Sequence, residues 1–270
     1  MKLGCAVTTY KTDNGPIVFK DGNIKENFKI MRKYGFETVD LFIKKTSEEQ
    51  ALEYKKILDD NGISVSTLFA IYLGEQGVKL SEPDPVKRSF NVDLVKKELE
   101  HAVTLGAVGL GMGYIRGCHG ENETEADALK RISECLKILG EYARDLGTTI
   151  LLEPINRYEI NTLNRAVDTA DFIRQNQLNG IIMQPDMFHM NIEDKSLPEA
   201  LRYAADLIGN LHISSTNRYA VGEGHFDFAE LIHTLKEINY NGSLTLEAFV
   251  EDPEQALKQT RDWLKPYLDK

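Results

Sequence analysis

DLGTTILLEP, residues 145–154, holds the end of an amphipathic helical stretch, a glycine (Gly147) where a left-handed cap would sit, a short apolar run, and a closing acid, Glu153. The same order recurs in KYGFETVDLFI (33–43), DNGISVSTLFA (60–70), TLGAVGLGMGY (104–114), LNGIIMQPD (178–186) and NYNGSLTLEAF (239–249), whose glycines are Gly35, Gly62, Gly106, Gly180 and Gly242. The opening KLGCAV (2–7) and NLHISS (210–215) bring the strand-like runs to eight. Apolar residues at three- and four-residue spacing predict helices over 24–33, 47–60, 86–105, 124–146, 164–176, 197–206, 227–238 and 253–268. Eight alternating units imply a (β/α)₈ barrel, the TIM-barrel architecture, as a single domain over residues 1–270.

An open doubly wound sheet is the competing architecture, and GLGMGY (109–114) superficially resembles a dinucleotide loop. Its glycines follow GxGxG rather than GxGxxG and lie inside the predicted strand, so close approach of a substrate or a neighbouring strand explains them better. The one long irregular stretch, about residues 71–85, is a lid candidate.

Composition narrows the function classes. Forty-two acids against 32 basic side chains leave a formal charge of −10, which disfavours a nucleic-acid partner. No run approaches the roughly 18 apolar residues of a membrane helix, and MKLGCAVTTY reads as a first strand rather than a signal peptide. A soluble, cytoplasmic protein is expected. Three widely spaced cysteines, Cys5, Cys118 and Cys135, form no CxxC pair and argue against a disulfide framework or thiolate zinc site.

In such barrels the chemistry sits at the C-terminal ends of strands. Glu153 closes TILLEP, Asp186 closes IIMQPD, His212 lies in NLHISS and Glu247 closes LTLEAF, 33, 26 and 35 residues apart, about one αβ unit each. Three carboxylates crowded at a semi-buried rim repel one another, and a cation is the usual remedy. Carboxylates plus one imidazole, without thiolate, suit Mn²⁺, Mg²⁺ or Co²⁺ better than structural zinc. Strand ends such as Thr8, Tyr10, Phe69, Tyr72 and Tyr114 are expected to shape the pocket beside this centre.

EPINRYE (153–159), DMFHMNIE (186–193), HISSTNR (212–218), GEGHFDF (222–228) and LTLEAF (244–249) together resemble the xylose-isomerase-like sugar isomerase and epimerase family, within it the D-tagatose and D-psicose 3-epimerase branch. The resemblance implies one divalent metal ion, Mn²⁺ first, on Glu153, Asp186, His212 and Glu247, with Glu153 and Glu247 also serving as acid and base. It implies that Glu159, His189 and Arg218 hold the O1 and O2 end of a sugar, although Glu159 could instead pair with Arg157. It also implies a homodimer or homotetramer. Met187, Ser215 and Val221 depart from the family pattern and bear on substrate identity.

The implied reaction inverts C3 of a ketose or keto sugar acid through an enediolate. The same enediolate permits aldose–ketose isomerisation, or elimination from a keto sugar or keto-glycoside. An abasic-site endonuclease on the same barrel fits poorly, because it uses more histidines and acids than a chain with six histidines offers. A non-catalytic sugar-binding barrel would need no acid/base pair.

Overall fold

The computed structural model describes residues 1–268. Along the chain run β1 (Lys2–Thr8), α1 (Ile24–Lys33), β2 (Phe36–Phe42), α2 (Glu48–Asn61), β3 (Ser64–Phe69), α3 (Ile71–Glu75), α4 (Pro85–Leu105), β4 (Gly109–Met112), α5 (Glu125–Asp145), β5 (Thr149–Leu152), α6 (Ala166–Gln175), β6 (Ile181–Met183), α7 (Met187–Glu193), α8 (Leu197–Tyr203), β7 (Asn210–Ile213), α9 (Phe228–Glu237), β8 (Ser243–Leu246) and α10 (Pro253–Leu268). The strands are parallel and lie in the order β6-β5-β4-β3-β2-β1-β8-β7. Single bridges from Met183 to Ile208 and from Asp186 to His212 join the two ends, so the ring is nearly closed. This is the expected (β/α)₈ barrel.

Local chemistry places the elements. Asp84 caps α4, accepting from the Val86 and Lys87 amides ahead of Pro85, and Thr124 with Asp127 forms a capping box on α5. Gly35, Gly62, Gly106 and Gly147 take the left-handed turn after their helices, but Gln177 (φ 52°) takes it after α6 and Asn239 (φ 55°) after α9; Gly180 has positive φ three residues past that turn, and Gly242 does not. Two helices were not expected. The 71–85 stretch opens with α3, and Val78, Leu80 and Ser81 are buried, so much of it is packed rather than an irregular lid. Helix α7 starts directly after Asp186, which caps it by accepting from the Phe188 amide at 2.8 Å. No helix among the described residues is long and apolar enough to cross a membrane.

Helix α5 buries Ile132, Leu136, Leu139 and Ala143 against the strands, and in its middle Gly140 faces the backbone carbonyl of Asn179. Alanine raises helix propensity by up to about 1 kcal/mol, yet a Cβ here would collide with that carbonyl. Gly140→Ala is therefore expected to destabilise the protein, by about 1–3 kcal/mol in urea unfolding, and a stabilised variant would contradict the packing.

Inside the barrel, apolar layers would be usual. Instead Asp40 of β2, Thr67 of β3, Asn210 of β7 and Thr245 of β8, with Gln184 just past β6, are fully buried and polar. Thr67 donates to Gln184, and Thr245 Oγ1 donates to Asn210 Oδ1 at 3.0 Å. This layer lies directly beneath the site.

Candidate metal centre

Four consecutive strands deliver four side chains to one point of the rim. Glu153 follows β5 by one residue, Asp186 ends the short turn after β6, His212 lies within β7 and Glu247 follows β8 by one residue. One potential ligand atom from each lies within 4.8 Å of the others, and all four residues are buried. The His212 Nδ1 atom is 3.4 Å from Glu153 Oε1 and 3.5 Å from Glu247 Oε2.

The electrostatics are those of a crowded acidic site. Burial pushes the Glu153 carboxyl up and carries Asp186 up to about 6 even though Arg218 pulls it down. Burial acts the same way on Glu247, but His212 and Arg218 outweigh it and hold that carboxyl below the usual range. Burial alone would lower the His212 imidazole, whereas Glu247, Asp40 and Glu153 around it raise it well above its ordinary value.

The arrangement fits a divalent cation. Among the described residues the buried His212 Nδ1 has no hydrogen-bond partner, although three carboxylates surround it. A buried nitrogen without a partner, facing carboxylate oxygens, fits a metal-ligand set, and the oxygen-rich donors suit a hard or borderline ion.

Beside the cluster the structure brings Glu159, His189 and Arg218 together. Arg218, in the left-handed region at φ 63°, lies over the Phe188 ring and reaches Glu247 at 3.0 Å, Asp186 at 3.3 Å and Glu159 at 3.5 Å. Glu159 accepts from Tyr114 Oη and from Asn156 Nδ2, the latter at 2.8 Å, and the same amide lies 2.7 Å from His189 Nδ1. Arg157 pairs with Glu193 at 2.6 Å, not with Glu159. Burial lowers the His189 pKa, favouring the neutral ring.

A cleft of about 410 Å³ opens over these groups. Its polar end is Glu153, His189, Arg218 and Glu247; the facing wall, from the β1 to β3 side, is Ile17, Phe42, Phe69 and Ile71, with Phe42 and Phe69 stacked at 4.5 Å. Of the expected pocket residues, Phe69 and Tyr114 line this cleft. Thr8 is turned to the carbonyls of Tyr10 and Phe19, Tyr10 lies under the Lys44 ammonium, and Tyr72 donates to Glu98 at 2.6 Å. The glycines of β4 act through close approach. A Cβ on Gly111 would strike the Phe69 ring, and one on Gly113 would stand 2.9 Å from Glu153 Oε2.

Three residues escaped the sequence reading. Asn156 bridges Glu159 and His189, Arg116 holds the Glu153 carbonyl at 2.7 Å, and Asp40 Oδ2 lies 2.7 Å from His212 Nε2. Only Asp40 left a signal, as a lone acid inside the apolar run FETVDLF (36–42).

A family model described as xylose isomerase-like TIM barrel matches residues 28–267. The 3-dehydro-D-guloside 4-epimerase of Escherichia coli (strain K12) is 30% identical over 252 residues, 90% of this chain and 94% of the relative. The D-psicose 3-epimerase of Agrobacterium fabrum is 28% identical over 226 residues, 81% of this chain and 77% of the relative. A crystal structure of 3-keto-D-glucoside 4-epimerase from E. coli, in its apo form, superposes with a TM-score of 0.80 at 25% identity over 98% of this chain and 99% of that one.

Proposed function

The chain belongs to the xylose isomerase-like TIM barrel family, and we propose that it is a metal-dependent epimerase inverting C3 of a ketose or keto sugar acid, next to the ketone. The observation that carries this is the placement of Glu153 and Glu247, which approach His212 Nδ1 from strands β5 and β8 at 3.4 and 3.5 Å. Two carboxylates carried to one point by separate strands can serve as the pair that removes a proton and returns one to the opposite face.

Glu153, Asp186, His212 and Glu247 would hold the ion, with Mn²⁺ preferred and Mg²⁺ or Co²⁺ also suited. When bound, it supplies Lewis-acid stabilisation of the negative charge that develops on the carbonyl oxygen. One of Glu153 and Glu247 takes the proton from the carbon beside the ketone, and the other delivers a proton to the opposite face. Glu159, His189 and Arg218 orient the O1 and O2 end. The neutral ring of His189 and the guanidinium of Arg218 offer hydrogen-bond donors there. Tyr114 and Asn156 hold Glu159 in place, and the Phe42–Phe69 stack keeps water from the facing side.

The apolar wall favours a second substrate reading. Ile17, Phe42, Phe69 and Ile71 offer no partners to the hydroxyls of an open-chain sugar, whereas the ring and substituent of a keto-glycoside would lie against them well. The E. coli relative, a 4-epimerase of such a compound, supports this reading.

We further propose that residues 1–270 act as a single barrel domain in the cytoplasm, as a homodimer or homotetramer, on a small sugar and without nucleic-acid or membrane partners. Three free cysteines suit a reducing compartment, and Val86 and Phe90, exposed on α4, are side chains that a second copy would cover.

The test strips the enzyme with chelator, reloads it with Mn²⁺, Mg²⁺ or Co²⁺, and incubates it with ketoses, 5-keto-gluconate and a 3-keto-glucoside before chromatography of the products. A metal-restored epimer is expected. An aldose product, release of the aglycone, or no reaction with any of them would overturn the assignment.

A further inference from the structure

We infer that Asp40 is a positioning residue that fixes which nitrogen of His212 meets the metal; this rests on the metal-centre reading above. Asp40 stands in the middle of β2, fully buried, on the far side of the His212 ring from Glu153 and Glu247. Its Oδ2 is 2.7 Å from Nε2. A carboxylate facing a bare ring nitrogen at that distance would set lone pair against lone pair, so Nε2 carries the proton and donates it to Asp40. The Gln184 amide nitrogen lies 2.6 Å from the same ring nitrogen while its oxygen accepts from Thr67 and Asn210, and the charged carboxylate outweighs this neutral amide in setting the tautomer. With the neutral ring's only proton on Nε2, the lone pair of Nδ1 is left free, and Nδ1 is the atom lying among the three acids.

The surroundings of Asp40 argue against a merely structural role. Among the described residues no lysine or arginine pairs with it. Its oxygens accept instead from Ser66 Oγ, from Asn210 Nδ2 at 2.9 Å to each and from Gln184 Nε2 at 3.5 Å, with the Thr245 hydroxyl 3.4 Å away. A buried carboxylate whose only candidate counter-charge is an imidazole is expensive to keep in a barrel core, where an apolar residue would serve packing better. Asn210, on β7 and bonded to both oxygens, holds the carboxylate at one orientation under the ring, and Ser66 adds a single further bond to it. Loss of that anchor lets the proton move to Nδ1, where it would oppose a cation.

The experiment measures Mn²⁺ dissociation constants from the EPR signal of free Mn²⁺, in the unaltered enzyme, Asp40→Asn and Ser66→Ala. Asn keeps the shape but can offer either an acceptor or a donor to Nε2. Its Kd is expected to rise by about 10- to 100-fold, the range seen for partners of metal-bound histidines. Ser66→Ala removes one bond to Asp40 but leaves its charge, and is expected to bind Mn²⁺ within about twofold of the unaltered enzyme. Binding by Asp40→Asn at the unaltered strength, or equal weakening in Ser66→Ala, overturns the inference and leaves the metal centre standing. No Mn²⁺ binding by the unaltered enzyme overturns the metal centre and, with it, the role of Asp40. A measurement independent of any variant's folding uses ¹⁵N-histidine NMR of the unaltered, metal-free enzyme at a pH where the ring is neutral. The proton is expected on Nε2, and a proton on Nδ1 overturns the inference.

Discussion

Glu153→Gln and Glu247→Gln are each expected to lower kcat for epimerisation by about three orders of magnitude or more, with a much smaller change in KM. Gln keeps the size of the side chain and one oxygen lone-pair donor, but it cannot accept a proton from carbon. Each variant therefore loses either the group that removes the proton from one epimer or the group that returns it. The losses should not be equal in both directions. A variant lacking one base can still take the proton from the epimer whose C–H faces the surviving carboxylate, so exchange without inversion is expected to persist for one epimer in each variant, and for opposite epimers. Gln also removes a charge from the ligand set, so bound metal must be quantified alongside turnover. Appreciable epimerisation by both variants at full metal loading would remove Glu153 and Glu247 from the proton-moving role.

Arg116→Leu is expected to destabilise the protein by about 3 kcal/mol or more in denaturant unfolding, one of the largest effects of any single substitution here. Arg116 lies in a short 3-10 turn just beyond β4, completely buried, and burial draws its pKa down to about 10. It forms no ion pair among the described residues and donates only to backbone carbonyls. Nη1 reaches Gly113 at 3.0 Å and Glu153 at 2.7 Å, and Nη2 reaches Thr162 at 2.8 Å and Leu163 at 3.3 Å. Leu removes the donors and leaves buried carbonyls unpaired, each costing about 1–3 kcal/mol before relaxation. The same substitution frees the backbone that carries Glu153, so metal affinity should fall with stability. Arg116→Lys is expected to recover only part of either, because one ammonium cannot span two pairs of carbonyls with the geometry of a planar fork. A loss below about 1 kcal/mol for Arg116→Leu would mean that water or neighbouring groups take over those carbonyls.

These two cases separate what the chain spells out locally from what only the fold assembles. The strand ends were legible because Glu153, Asp186, His212 and Glu247 each interrupt an apolar run one αβ unit after the last, and strand ends in a barrel share one rim. The helices with repeating apolar faces were also legible, to within three residues at either end. Helices α3 and α7 were not, because each is short and lies between a strand and the next amphipathic helix, where the alternation leaves room only for a loop. Glycine marks the turn after the helix in four of the six repeats, whereas Gln177 and Asn239 occupy it in the other two, so the nearby Gly180 and Gly242 misplace it by three residues. Arg116 reads as a loop arginine in YIRGCHG (114–120), and its burial comes from loops over forty residues away, at Thr162 and Leu163. Asp40 looks like an isolated acid because its partners, Ser66, Asn210, His212 and Thr245, are brought to it only when the barrel closes.

The central claim is metal-dependent proton transfer at the carbon next to a sugar ketone, and its most direct test follows deuterium by NMR while the Mn²⁺-loaded enzyme acts in D₂O. Ketoses, 5-keto-gluconate and a 3-keto-glucoside serve as substrates, and the Mn²⁺ is removed by chelation before the spectra are taken. Deuterium is expected at the inverted carbon of the epimer and nowhere else, with none when the enzyme is stripped of metal beforehand. Epimer formed without solvent deuterium, or exchange that persists in the stripped enzyme, would contradict the account.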